Sequence, residues 1–296
     1  EFARDLAFGY ASSNLCDWVA EKTGGQIAAK DVARISVADL RSRGPEAVTD
    51  VLMTLSGGRC CAVNAASYRD LEVFVLGLLA AEARGKRFLY RTAASFVQVR
   101  TGIIPRPLLA PAELKLSPVG GCLLVVGSYV PRSTRQIEAL LAATDVSAVE
   151  ININALLPDG LRKDEIKRAA EIAEQALHSR NDIVIFTGRQ LITGKDSKSN
   201  LQIGQKVSQG LIDIVQGIQS TPRYILAKGG ITASDIATRA LSIKRAMVLG
   251  QILPGVPVWQ LGKESRLAGL PYIVFPGNVG DDRSLIKVVQ QLKLSQ

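Results

Sequence analysis

Three short stretches carry residue types that hold anions. They are AKGGITASD at residues 227–235, VVGSYVPRSTRQ at 125–136 and VFPGNVGDD at 274–282. In each, a β-rich apolar run meets glycine or serine and a helical pattern follows. Glycine lets a backbone approach a ligand closely and reach positive φ. A helix start offers unpaired N–H groups and a dipole that favours phosphate. Ser133 or Thr134 suits the cap of the helix after the second turn, and Thr232 that of the helix after the first. Lys228 adds a point charge. Each turn taken singly reads as an ordinary β–α connection at least as well as a binding site. Three at matching places favour a phosphate or nucleotide site. Neither G-x-x-x-x-G-K-[ST] nor a G-x-G-x-x-G after a strand occurs.

Other chemistries are poorly supplied. The one histidine, His178, ends the helical run EIKRAAEIAEQALHSR, where it complements the helix dipole. A histidine triad or multi-histidine metal site is not expected. Cys16, Cys60, Cys61 and Cys122 lack zinc-ligand spacing and read as small core residues in a reducing, cytoplasmic setting. The net charge of +9 comes from scattered Lys and Arg, without the aromatic-rich motif of a nucleic-acid binder. It suits small anions, and no nucleic-acid partner is expected. No metal ligands are assigned.

The elements that must position these turns follow from periodicity. CLLVVGS is a continuous apolar run, as a parallel strand buried on both faces requires. Helical TRQIEALLAAT, strand AVEINI, helix RKDEIKRAAEIAEQALHSR, strand DIVIFTG and helix NLQIGQKVSQGLIDIVQGIQ come next. Strand YILAKGG, helix TASDIATRALSI, strands RAMVLGQIL and PYIVFPGN, and helix DDRSLIKVVQQLK complete the pattern. Alternation of this kind predicts right-handed crossovers and a mostly parallel sheet flanked by helices. Ligands of such sheets sit beyond the carboxyl ends of the strands. Upstream, residues 27–37, 59–66 and RFLYRTAAS read as strands. YRDLEVFVLGLLAAEARG reads as a helix ending at Gly85.

The 296 residues, 47% apolar and 21% charged, suit an α/β protein of about two domains. The stretch 101–121 has four prolines and three glycines and marks the boundary. The expected parts are 1–105, a linker at 106–121, and 122–296. The absence of an 18-residue uncharged apolar run predicts no membrane span. The opening EFARDLAFGY is charged where a signal peptide is apolar, and reads as the interior of a longer protein.

At these same residues the chain resembles the four-carbon acid sugar kinases. That family joins an acid-sugar-binding N-terminal domain to a nucleotide-binding C-terminal one. The resemblance lies in GSYVPRSTRQ, GGIT, PGVP at Pro254–Pro257 and the Gly277-Asn278-Val279-Gly280 turn, in that order. FGYASSNLCDWVAEKTGG and VNAASYRDLEVFVLGLLAAEARGKRFLYRTAASFVQVRTG look like the latter half of the sugar-binding domain.

The resemblance implies ATP-dependent phosphorylation of an acid such as threonate or erythronate. It implies an ATP site lined by Ser128, Gly229, Gly230, Ile231, Thr232 and Gly277, with Mg²⁺ bridging the phosphates and the acid sugar between the domains. Arg91 and Ser95, in YRTAAS, are candidates for the sugar carboxylate, since a guanidinium matches it bidentately. Their plainer reading is a surface pair at a strand end. No catalytic base is assigned.

The chain departs from the family pattern at Tyr129-Val130, in place of Cys-Ser, and at Ile231, in place of an acid. It lacks an Asp-Asp-x-Thr-Gly segment, so the expectation is an N-terminally truncated chain with little activity by itself. Fusion to dehydrogenase-like or aldolase-like domains is a further implication. A nucleotide-binding module without turnover, and another α/β enzyme binding a sugar phosphate, stay open.

Overall fold

A computed structural model of the chain describes residues 3, 9–128, 130–189, 192 and 197–293. Most of the opening EFARDLAF and Tyr129 lie outside the described residues. The chain divides into two compact units, Glu1–Pro105 and Arg106–Gln296.

The first unit contains helices α1 (Leu15–Lys22), α2 (Val37–Met53), α3 (Tyr68–Ala83) and α4 (Ala94–Thr101), and strands β1 (Ala33–Ile35) and β2 (Cys61–Val63). The two strands pair in parallel, Ala33 opposite Cys61. A capping box of Ser36 and Asp39 starts α2, and the helix breaks at Gly44 before Pro45, whose ring cannot continue it. Ile35, Leu40, Val48, Leu52, Phe74, Leu78 and Phe96 form its core. Arg41 holds Asp70 bidentately at 2.8 and 3.0 Å, tying α2 to α3. That guanidinium, helped by the Ala66 N–H, keeps the Asp70 carboxyl well below the usual carboxylate range.

One expected strand is not formed. RFLYRTAAS is irregular up to Ala93 and then enters α4. Its alternation instead reflects Phe88 and Tyr90, whose rings pack in a chain with Phe96, Tyr90 lying 5.4 Å from it. The strand expected at 27–37 shortens to β1, and the one at 59–66 to β2.

The second unit is a seven-stranded sheet. Its strands are β3 (Leu123–Val126), β4 (Ser147–Ile151), β5 (Ile183–Thr187), β6 (Ile225–Lys228), β7 (Ala246–Leu253), β8 (Val256–Leu261) and β9 (Pro271–Phe275). Their order is β4-β5-β3-β6-β9-β8-β7. The first five are parallel, and β8 and β7 add antiparallel at one edge.

The helices are α5 (Pro131–Ala143), α6 (Ile153–Leu156), α7 (Asp159–His178), α8 (Ser197–Gly217), α9 (Gly230–Asp235) and α10 (Ser284–Gln291). Leu123 and Val125 of β3 join the core under α7, α8 and α9, while Leu124 and Val126 join the core under α5 and α10. Burial on both faces explains the unbroken apolar runs of the parallel strands. The segment 106–121 packs on this unit: Leu109 and Leu114 are buried in its second core, and the Leu109 N–H donates to Gln251 O at 2.8 Å.

Candidate functional site

The strand order makes β3, β6 and β9 neighbours, with Val126 opposite Lys228 and Lys228 opposite Phe275. Their carboxyl ends are therefore level, and the three glycine turns meet. A Cβ on Gly127 would stand 2.3 Å from Thr232 Oγ1, so only glycine fits that approach. Gly229 has φ 111°, in the region that favours glycine, and its N–H donates to Phe275 O at 2.9 Å. A Cβ on Gly277 would lie 3.2 Å from Ser128 Oγ, so the first and third turns touch as well. The Pro254–Pro257 hairpin turn reaches the same end, with Gly255 against Val279.

Gly230 differs from these. A Cβ there would meet no atom of the described residues within 4 Å. It begins α9, whose start carries no side-chain cap. The first N–H groups of a helix have no intrahelical acceptor, so these amides are left without a partner within the helix. The helix expected over Thr232–Ile243 thus starts two residues earlier. It relaxes into a π-helical turn at Ile236–Ala240. Thr232 is a buried first-turn residue and not a cap.

Ser133 does not cap either. Val130 is the N-cap of α5, Pro131 follows, and no side chain closes that end. Pro131 fixes the start because its missing N–H would have been unpaired there anyway. Ser133 is fully buried, donates to Ser128 Oγ at 3.1 Å and lies 3.5 Å from Gly277 O. Arg132 donates to Asn278 O at 2.6 Å. Gln136 donates to Val279 O and Asp281 O, while its buried Oε1 has no partner among the described residues.

Two cations flank the turns. Lys228 is completely buried; its Nζ donates to Pro276 O at 3.2 Å and lies 4.3 Å from the Phe275 ring centroid. Burial, with repulsion from Arg132 second, pushes its pKa down to about 8. Arg189, just past β5, donates from Nη1 to Ser128 O at 2.8 Å and from Nε to Thr187 O at 2.9 Å. Burial also lowers its pKa, against the pull of Glu150 and Glu138. Sequence reasoning missed Arg189, although FTGRQ is a strand end like the other three.

The structure brings together Ser128, Gly229, Gly230, Thr232 and Gly277. Ile231 sits among them and is 73% exposed. Arg91 and Ser95 belong to the other unit. Arg91 is exposed with its guanidinium 4.5 Å over the Trp18 ring, and Ser95 is half-buried in the first turn of α4. Among the described residues no group of three or more His, Cys, Asp or Glu can hold a metal. Asp281 is engaged by Ser284 and Lys287, and Asp282 by Arg135. His178 ends α7 and is exposed. The four cysteines are free.

Comparison with known proteins agrees with this layout. A family model described as a nucleotide-binding C-terminal domain matches residues 123–285, which enclose all three turns. One described as a sugar-binding N-terminal domain matches residues 1–100. No curated protein matches. Among solved structures, a Haemophilus influenzae protein of a family of unknown function aligns at 16% identity and TM-score 0.56, covering 99% of this chain and 67% of that one. A putative tRNA synthase from Salmonella typhimurium aligns at 16% identity and TM-score 0.57, covering 86% and 59%. A Bordetella bronchiseptica domain of unknown function, solved with bound citrate, aligns at 17% identity and TM-score 0.49, covering 98% and 64%. The chain thus spans about three-fifths to two-thirds of the length of the structures it matches. No helix among the described residues is long and apolar enough to cross a membrane. The two domain models follow each other in family order, and the nucleotide-binding one covers more than half of the 296 residues, so the chain belongs to the four-carbon acid sugar kinase family.

Proposed function

We propose that the protein to which this chain belongs is an ATP-dependent kinase of four-carbon acid sugars of the threonate or erythronate type. The observation that carries the reading is the cradle: three turns converge at the carboxyl ends of β3, β6 and β9, and among the described residues no atom lies within 4 Å of where a Cβ of Gly230 would stand. Phosphoryl transfer needs positioning and charge neutralisation more than covalent chemistry. A sugar hydroxyl oxygen bonds to the γ-phosphorus and gives up its proton to solvent, the bridging P–O bond to the β-phosphate breaks, and ADP leaves. In this reading the amides from Gly230 onward and the Ser128 hydroxyl hold phosphate oxygens, with Gly229 and Gly277 permitting the approach.

Mg²⁺ would be held chiefly by the nucleotide's phosphates, because Asp281 and Asp282 are committed elsewhere. Arg91, which has no carboxylate partner among the described residues, and Ser95 are proposed contacts for the sugar carboxylate. Four free cysteines suit a cytoplasmic setting.

A second reading is a nucleotide-binding module without turnover. It is favoured by Ile231, exposed where the family pattern has an acid. Titration of residues 1–296 with ADP tests what the two share. Product formation from ATP and threonate by a chain spanning the full length of its structural relatives separates them, whereas residues 1–296 by themselves are expected to bind ADP tightly with little phosphorylation. Failure of ADP to bind refutes both.

A further inference from the structure

Arg189 and Lys228 share an unusual environment. Both stand at the carboxyl ends of strands that flank β3, so the Gly127–Ser128 turn lies between them in the sheet. Each donates to backbone carbonyls and rests on a ring, Arg189 on Phe186 at 5.4 Å and Lys228 on Phe275 at 4.3 Å. Carbonyls and ring faces leave most of a positive charge uncompensated.

No carboxylate among the described residues forms an ion pair with either. Around Lys228, β3, β9 and the Pro276–Gly280 turn bring no acid, Asp235 of α9 is bound by Ser208 and Asp281 by Ser284 and Lys287. The charged group that acts on it is Arg132 of α5, which repels it. Around Arg189, Glu150 of β4 and Glu138 of α5 attract it without reaching it.

We propose that Arg189 and Lys228 are the positioning cations of this site, jointly supplying the countercharge to a phosphate group held over the glycine turns. The proposal deepens the nucleotide reading and rests on it for the identity of the anion. Arg189 holds the Ser128 turn in place through Ser128 O, and Lys228 holds the Gly277 turn through Pro276 O. The two turns that touch phosphate are thus each braced by one of the charges that phosphate needs.

A proton balance follows. Without an anion, Lys228 titrates at about 8. A phosphate nearby favours the ammonium and raises that value. Above pH 8 the free protein has largely lost the proton that the complex retains, so binding takes one up and affinity falls with rising pH.

The test titrates ADP and inorganic pyrophosphate, in two buffers of different ionisation enthalpy, at about pH 7 and about pH 9. At the higher pH the wild type is expected to take up roughly half a proton or more per ligand, and little at the lower. Lys228→Met should bind on the order of tenfold more weakly at about pH 7 and take up none. Arg189→Met should weaken binding similarly at both pH values, and Lys228→Arg should restore affinity without proton uptake. Thermal unfolding of each variant confirms that it folds.

ADP binding with unchanged affinity in both Met variants, or unchanged proton uptake in Lys228→Met, overturns the proposal and leaves the nucleotide reading standing. Pyrophosphate binding with the expected uptake while ADP fails to bind supports the cation pair and refutes the nucleotide reading. Absence of binding by either ligand overturns both.

Discussion

A buried cation stands at the carboxyl end of strand β6 and another two residues before its amino end, and the two ends could hardly be used more differently. At the amino end Arg223 is 5% exposed and donates to Ser117 O at 3.1 Å and Leu292 O at 2.7 Å, stitching the 106–121 segment to the end of the last helix. Beside it is a cleft of about 500 Å³ lined by Lys115, His178, Arg180 and Thr221. At the carboxyl end Lys228 is buried beside the glycine turns, bonded to Pro276 O. Volume and positive charge favour the amino end as a binding site. Its basic groups Lys115, His178 and Arg180, however, are exposed side chains at loops and helix ends. The carboxyl end offers the uncapped first-turn amides of α9, and a fixed amide binds phosphate with less ordering than a long side chain.

The contrast can be broken at several points. The largest effect is expected from Gly230→Val. Its Cβ meets no atom of the described residues within 4 Å, so the unfolding midpoint should barely move while ADP affinity falls on the order of a hundredfold. Titration and thermal unfolding on the same sample would check both halves.

Arg223→Met should do the reverse. It strands two carbonyls and costs about 2 kcal/mol of stability, read by denaturant unfolding, with ADP affinity unchanged. Lys228→Met separates the two cations further, because it removes a charge that folding disfavours. The sign follows from the proton count. The native pKa of about 8 lies below the ordinary 10.5, so between those values the unfolded chain binds more protons. The stability contributed by Lys228 is present in full above 10.5 and lost as pH falls through 8. Ligand-free wild type should therefore gain stability across that window relative to Lys228→Met.

Smaller still is Ser133→Ala, which removes the hydroxyl joining Ser128 to the Gly277 turn. About 1 kcal/mol of stability and a few-fold of ADP affinity should go with it. Arg180→Glu, at the amino end, should leave ADP affinity within about twofold, since exposed charges at that distance are screened.

How much of this was legible beforehand depended on what each residue's neighbours were. The parallel strands and their turns showed in the sequence because burial on both faces demands continuous apolar runs, as in LLVV of β3. Adjacency of β3, β6 and β9 did not show, since it depends on which way each crossover runs, and only adjacency brings Gly127 against Thr232.

The place of Ser133 and Thr134 before a helical pattern suggests a cap. Pro131 moved the helix start forward and turned the Ser133 hydroxyl inward. RFLYRTAAS had a strand's alternation with no strand to pair with, so its aromatics packed on Phe96 instead. Arg189 carried the same strand-end signal as the glycine turns but lay in no recognised motif. Its role appears only through the bond to Ser128 O.

The central claim is that the carboxyl end, and not the basic cleft at the amino end, takes the nucleotide phosphates. Amide hydrogen exchange with and without saturating ADP addresses it directly. The account predicts slower exchange at Ser128, at Gly230–Thr232 and at Gly277, with no change at residues 178–180 and 220–223. Protection confined to 178–180 and 220–223, with the three glycine turns exchanging as before, would contradict it.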